Sequence, residues 1–186
     1  YFLNKSLFTQ SKYPKILEKF MNSRTKEPNP ILSVIIGIRD WDVDRLELAI
    51  QCHLKSTASK NIEIVISDYG SNNHLEIEKL SQQLGCLYIY NPSKVWSRAR
   101  ALNLGIVASH GKFVVCTDAD ILFSPSTHAL VIDLLQKYPN SLQLKQCRDL
   151  PKEIGIEKLA TIDWDFFDRV ASIRPRWGMG GMAACS

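Results

Sequence analysis

From Ile31 onward, short and solidly apolar runs alternate with segments whose apolar residues recur at helical spacing. Runs of this kind read as strands buried on both faces, and the alternation is the signature of β-α-β units. The predicted strands cover residues 32–38, 62–67, 86–90 and 112–117, with a fifth at 141–146. Between them, residues 43–55 set Leu46, Ala49, Ile50 and Leu54 on one helical face, and residues 75–84 form a helix that stops at Gly85. A helix over 96–109 brings Ala99, Leu102, Asn103 and Ile106 together. The next one starts at a Ser124 cap followed by Pro125 and ends at Pro139. The pattern predicts an open, mostly parallel α/β sheet flanked by helices. Residues 1–30 stand apart as a lead-in, with a short amphipathic helix at 13–21 and a polar connector.

Composition narrows the class. With 186 residues, 45% hydrophobic and 23% charged, the chain is one folded domain rather than a disordered or collagen-like protein. No apolar run approaches the roughly 20 residues that span a bilayer. The net charge of +4 is scattered rather than gathered into a run, which suits a small anion and argues against a nucleic-acid partner. Five cysteines (Cys52, Cys86, Cys116, Cys147, Cys185) show no CxxC pair, and their odd number points to free thiols in a reducing compartment. The first residues lack the order of a signal peptide. The chain begins at Tyr1 rather than Met and ends at Ser186 just after a glycine-rich stretch, so it reads as a segment of something longer.

Open α/β sheets bind ligands outside the carboxyl ends of their strands, so the residues that follow each predicted strand matter most. Gly37-Ile38-Arg39-Asp40 follows the first, Asp68-Tyr69-Gly70-Ser71 the second and Asp118-Ala119-Asp120 the fourth. Two carboxylates one residue apart at a strand mouth can share a hard divalent cation with phosphate oxygens; the alternative is a turn cap beside a solvated aspartate. Asp68 can accept the imide N–H of a uracil, or else make an Asx-turn into Gly70 and Ser71. Arg39 can fork onto a phosphate or ribose, or pair with Asp40 or Asp44. Arg98 and Arg100 near a helix start invite an anion, because positive charge there opposes the helix dipole.

Other motifs carry less. Gly178-Met179-Gly180-Gly181 imitates part of a dinucleotide fingerprint, but no strand clearly feeds it. His53, His74, His110 and His128 lack ligand spacing and read as packing or surface residues, although His110 and His128 flank the fourth strand. Trp164, Phe166 and Phe167 read as core or groove wall, and Trp177 beside the glycines as a platform for a sugar.

Taken together, these motifs resemble the GT-A-type glycosyltransferases of family 2, especially the branch shared by chondroitin-type polymerases and galactosyl- and N-acetylgalactosaminyltransferases. Residues 33–40 look like the opening strand and its Pro-Phe-Arg-Asn loop, with Gly37 in place of proline. Residues 64–71 look like the Val-Val-Asp-Asp-Gly-Ser strand end, with Tyr69 where a second aspartate is common. Residues 96–105 are similar to the Phe-Asn-Arg-Ala helix, and residues 111–123 to the strand carrying the DxD motif.

The resemblance implies a Rossmann-like GT-A fold, truncated at its C-terminus. A nucleotide-sugar part would cover about 31–125, and an acceptor part would begin within 140–186. It implies a UDP-sugar donor contacted by Ile38, Arg39, Asp68, Arg98, Asp118 and Ala119, and Mn2+ or Mg2+ held by Asp120 and Asp118. Inverting transfer to a glycan hydroxyl is expected, in the cytoplasm or at the cytoplasmic face of a membrane, where peripheral association is compatible with the chain. Trp177, Gly178, Gly180 and Gly181 look like the acceptor loop. One branch places its catalytic Glu-Asp directly after that loop, where this chain has Met182 and Ala183. The other continues with a small-residue strand and carries its base later, beyond Ser186. Either the base lies downstream or the chain is a non-catalytic binding module. A sugar nucleotidyltransferase is the third reading, although the glycines of that class are missing around Arg39.

Overall fold

A computed structural model describes residues 30–173 and 182–185. The predicted lead-in helix and the loop carrying Trp177, Gly178, Gly180 and Gly181 lie outside the described residues. In chain order the elements are β1 (Leu32–Ile38), α1 (Val43–Leu54), β2 (Ile62–Asp68), α2 (His74–Gln83), β3 (Leu87–Tyr90), α3 (Arg98–Ala108) and β4 (Phe113–Thr117). Then come α4 (Thr127–Lys137), β5 (Gln143–Lys145), β6 (Arg148–Asp149), α5 (Ile156–Ala160), α6 (Trp164–Val170), β7 (Ser172–Ile173) and β8 (Met182–Cys185).

Six strands form one sheet in the order β3-β2-β1-β4-β8-β5, and β6 pairs with β7 in a separate ribbon. β3, β2, β1 and β4 run parallel, while β8 lies antiparallel between β4 and β5. Side chains alternate across a strand, and β1 sends Leu32, Val34, Ile36 and Ile38 to one face and Ile35 to the other. The first face is covered by Leu46 and Ile50 of α1, Ile77 and Leu80 of α2, and Val131, Ile132 and Leu135 of α4. The second is covered by α3 through Leu102. Being covered on both faces is why these strands read as continuous apolar runs.

Two helix faces differ from expectation. Leu54 is 39% exposed, and Leu48, Cys52 and His53 are buried on α1 in its stead. On α3 the buried residues are Ala101, Leu102 and Gly105, while Ala99 is exposed. The α4 start also shifts: Pro125 precedes the helix, and Ser124 reaches it through a hydroxyl contact of 2.8 Å with Thr127. The expected stop at Gly85 forms as a Schellman motif. Cys86 N–H donates to Ser81 O at 2.8 Å and Gly85 N–H to Gln82 O at 3.2 Å, with Gly85 at φ 70°.

The α3 choice has a steric cause. A Cβ on Gly105 would stand 2.3 Å from Ile35 Cγ2, and Ser67 Oγ donates to Ala101 O at 2.7 Å. The helix therefore sits on the sheet along its smallest residues, and this close seat aims its N-terminus at the carboxyl ends of β1 and β4. Gly105→Ala should destabilise the protein by about 1–3 kcal/mol through overpacking. Thermal melts should show a drop of about 2–4 °C per kcal/mol for a chain of this size. In an Ile35→Ala background the added penalty should largely vanish, because the clashing methyl is gone.

Candidate active site

Strand order reverses beside β1: the chain moves outward from β1 through β2 to β3, and α3 carries it back across to β4 on the other side. Such a reversal is the ligand crevice of open α/β sheets. A cleft of about 290 Å³ opens there. β1 and its loop supply Gly37, Ile38, Arg39 and Trp41, the approach to α3 supplies Trp96 and Arg98, and β4 leads into Asp118, Ala119 and Asp120.

The turn after β4 points both carboxylates outward because its middle residue points in. Ala119 is only 4% exposed and belongs to the apolar core, whereas Asp118 is half-buried and Asp120 exposed. The far end of this loop is pinned twice. Phe123 packs on His53 and His128 with ring centroids 4.8 and 5.2 Å apart. Pro125 O accepts from Thr57 N–H at 2.9 Å and from the hydroxyls of Ser56 and Thr57 at 3.1 Å.

The loop after β1 is held by the loop after β2. Asp40 occupies left-handed backbone at φ 51°, where a short polar side chain is tolerated. Its N–H donates to Ser71 Oγ at 2.8 Å, and its Oδ1 accepts from Asn72 N–H at 2.7 Å and from Asn72 Nδ2 at 3.0 Å. The Asn72 backbone bond is the largest cause holding the Asp40 carboxyl below its ordinary pKa, and Arg39 adds to it. Arg39 Nε lies 3.5 Å from Asp40 Oδ2 and its Nη2 donates to Lys94 O at 3.3 Å, so the pairing with Asp40 and a place in the cleft occur together. Asn73 Nδ2 donates to Trp41 O at 2.9 Å, fixing the next residue.

Across the cleft, Ser97 caps α3 by accepting from Arg100 N–H at 3.4 Å. Arg98 reaches Asp118 Oδ1 with Nε at 2.8 Å and Nη2 at 2.6 Å. Trp96, 42% exposed, leans edge-on against buried Tyr69 at 6.4 Å. Thus Ile38, Arg39, Arg98, Asp118, Ala119 and Asp120 converge on one cleft. Asp68 does not line it: it is fully buried, accepting at Oδ1 from Ser71 N–H and at Oδ2 from Tyr88 O–H, both at 2.9 Å. The turn alternative is therefore realised, with the Asp68 carboxylate reaching three residues on to Ser71 rather than two. It runs through Gly70 at φ 91°, where a Cβ would fall 2.1 Å from Ser93 O. Trp41 and Trp96 were not among the expected site residues, and their signal was an aromatic within three positions of a strand end or helix start.

Comparisons with known proteins show the family and the fold. The profile of Glycosyl transferase family 2 matches residues 33–170. The chain belongs to glycosyl transferase family 2. No curated protein matches the sequence. Among solved structures, this family 2 chain is similar to the mannosyltransferase PcManGT from Pyrobaculum calidifontis in complex with GDP-Man and Mn2+. That match has a TM-score of 0.58 at 16% identity and covers 91% of this chain and 49% of that one. It is also similar to residues 1–349 of S. aureus TarS, with a TM-score of 0.53 at 16% identity, covering 65% of this chain and 38% of that one. A complex of the same TarS segment with UDP gives a TM-score of 0.51 at 15% identity, covering 67% and 37%. The family 2 chain thus spans about half the length of the first of these structures and under two fifths of the second. The likenesses establish a GT-A fold, with the six-stranded, mostly parallel sheet flanked by helices.

Histidine roles divide by position. His110 lies at the opposite end of the sheet, its Nδ1 3.0 Å from Glu63 Oε2. His53 and His128 are buried behind the Asp118–Asp120 turn, His53 Nδ1 3.1 Å from His128 Nε2. Burial pushes His53 down to about 3, with its neighbour adding, and His128 down to about 4. Both are neutral in the fold, while an unfolded chain takes up protons near 6.5. Stability is therefore full above about pH 6.5 and is lost as pH falls from there toward 4 and 3. Burial also pushes Glu63 up, but bonds from Ser33 and His110 outweigh it, so its loss of stability comes only below the ordinary carboxylate range. Urea midpoints should fall as the pH drops from 7 to 5, and His128→Phe should reduce that fall while leaving the share of His53 and the decline below pH 4.5.

Proposed function

We propose that the cleft binds a nucleotide-sugar donor, a UDP-sugar, and that the chain is the donor part of an inverting, divalent-cation-dependent transferase acting on a glycan hydroxyl. The observation that carries this reading is the meeting of Arg39, Arg98, Asp118 and Asp120 at the β1/β4 crevice. Two cationic forks suit a diphosphate, and paired carboxylates suit a hard cation. The printed ligands of the similar structures, GDP-Man with Mn2+ and UDP, lend support.

The donor set at the cleft mouth is small. Among the described residues no group of three or more His, Cys, Asp or Glu side chains converges. Such a thin set does not make a closed protein cage. It fits Mg2+ or Mn2+, which keep waters and phosphate oxygens around one or two carboxylates. Asp120 and Asp118 would hold the ion, which when bound supplies Lewis-acid stabilisation of the departing diphosphate. Arg39, braced by Asp40 and Lys94, would orient the nucleotide, and Arg98 its phosphates. Trp41 and Trp96 would wall the cleft and keep water from the anomeric centre. Asp68 would accept the uracil imide on lone pairs beyond those used by Ser71 and Tyr88, a contact that requires its cover to move.

We further assign residues 31–125 to the donor and 140–186 to the start of the acceptor part, where Trp177, Gly178, Gly180 and Gly181 would carry the acceptor loop. The small-residue strand Met182–Cys185 that follows that loop suits the pattern in which a carboxylate base comes later in the chain. No helix among the described residues is long and apolar enough to cross a membrane. The five free thiols suit a reducing compartment such as the cytoplasm or the cytoplasmic face of a membrane.

Calorimetry with UDP and Mn2+ tests the reading. Binding should be present in the wild type and lost or weakened at least about tenfold in Asp120→Ala, since a charged contact is worth about 1.5–3 kcal/mol. A folded sample that binds nothing, or binding indifferent to Asp120→Ala, sinks it. Transfer of labelled sugar should be weak for these residues alone and should appear when the chain is extended past Ser186.

A further inference from the structure

Arg98 does more here than wait for a phosphate. Its Nε and Nη2 converge on a single oxygen, Asp118 Oδ1, at 2.8 and 2.6 Å. The two partners are unequally held. Asp118 sits on the end of β4 beside buried Ala119, whereas Arg98 projects a long, half-exposed side chain from the first residue of α3. The partner free to travel is therefore the arginine. Arg39, the other guanidinium of the cleft, is tied to Asp40 and Lys94 O instead.

We infer that Arg98 is a positioning residue that acts as a cationic placeholder on Asp118, so that a nucleotide diphosphate, by drawing the guanidinium onto its own oxygens, gives a divalent ion access to Asp118. This rests on the cation reading of Asp118 and Asp120 proposed above. Three physical points support it. A divalent ion that uses Asp118 Oδ1 must displace or share with a fixed positive charge. A diphosphate offers the planar fork a bidentate partner with more negative charge than one carboxylate. The start of α3 is also a place where a cation is disfavoured and an anion favoured. Nucleotide and ion would therefore bind cooperatively, each raising the affinity of the other by the same factor.

The test is titration of the 186-residue chain with Mn2+, following the free ion by EPR, with and without UDP. Arg98→Gln should raise the affinity for Mn2+ without nucleotide by about tenfold, about 1.4 kcal/mol, and should shrink the gain that UDP confers. Arg39→Gln removes the same charge from the same cleft, and it should change the Mn2+-only affinity much less. In an Asp118→Asn background Arg98→Gln should bring no gain. A structural role in holding Asp118 predicts the opposite sign: Mn2+ binding would weaken in Arg98→Gln. That result, an unchanged affinity, or equal gains from both arginines would overturn the placeholder while leaving the cation reading intact. Failure of Mn2+ to bind any folded form, with or without UDP, would overturn both.

Discussion

The reversal of strand order at β1 is the constraint on which the rest of the site depends. β1 is the central strand, paired with β2 over its whole length and with β4 over its first five residues. β4 therefore ends level with Ile36, and β1 runs on through Gly37 and Ile38. The stagger lets the β4 turn and the β1 loop face one another across the cleft without colliding. α3 can complete the cleft only because it lies close on the second face, over Ile35 and Ser67, with Gly105 beneath it. The geometry at the mouth therefore depends on a small residue about two helical turns along α3 from Arg98.

Electrostatics inside the cleft follow from who braces whom. Arg39 and Asp40 neutralise each other in a loop that Ser71 and Asn72 fasten, so this arginine is presented in a fixed place. Arg98 and Asp118 also neutralise each other, but across the cleft and between two different elements. Asp120 remains outward on a turn whose anchors are Ala119 and Phe123. The cleft is thus close to charge balance, and a diphosphate and a divalent ion together would preserve that balance better than either alone.

Much of this was readable in the chain. β1 covers the residues its apolar run predicts, and β2, β3 and β4 differ by one residue at an end, because burial on both faces leaves an uninterrupted apolar signal. The order of carboxylates and arginines at strand ends also pointed to Arg39, Arg98, Asp118 and Asp120, although Asp68 lies outside the cleft and Trp41 and Trp96 went unnamed. What periodicity missed was decided by packing. Spacing alone groups Leu54 with Leu46 and Ile50, yet His53 is buried there because Phe123 and His128 offer it rings to pack on. Ala99 looks as buriable as Ala101, but Ala101 lies over Gly37 and Gly105 over Ile35, while Ala99 is turned to solvent. Asp68 carries no sign in its own neighbourhood that Tyr88, twenty residues later, will cap its carboxylate. The pairing of β8 between β4 and β5 joins segments far apart in sequence, and no local pattern encodes it.

These contrasts bear on how such a site meets its ligand. A donor set already held in place spares the cost of ordering it during binding, and fixed dipoles stabilise developing charge better than ones that must turn. On the proposed reading the Asp118–Asp120 turn is of that kind: one side chain buried between two that are not, with Pro125 O receiving three donors at its far end. Arg98 is of the other kind, a long side chain at a helix start whose partner is a side chain rather than backbone. A site built from one rigid and one mobile wall can be both preorganised and selective, since the rigid wall lowers the cost of binding and the mobile one answers only to a ligand that outbids Asp118.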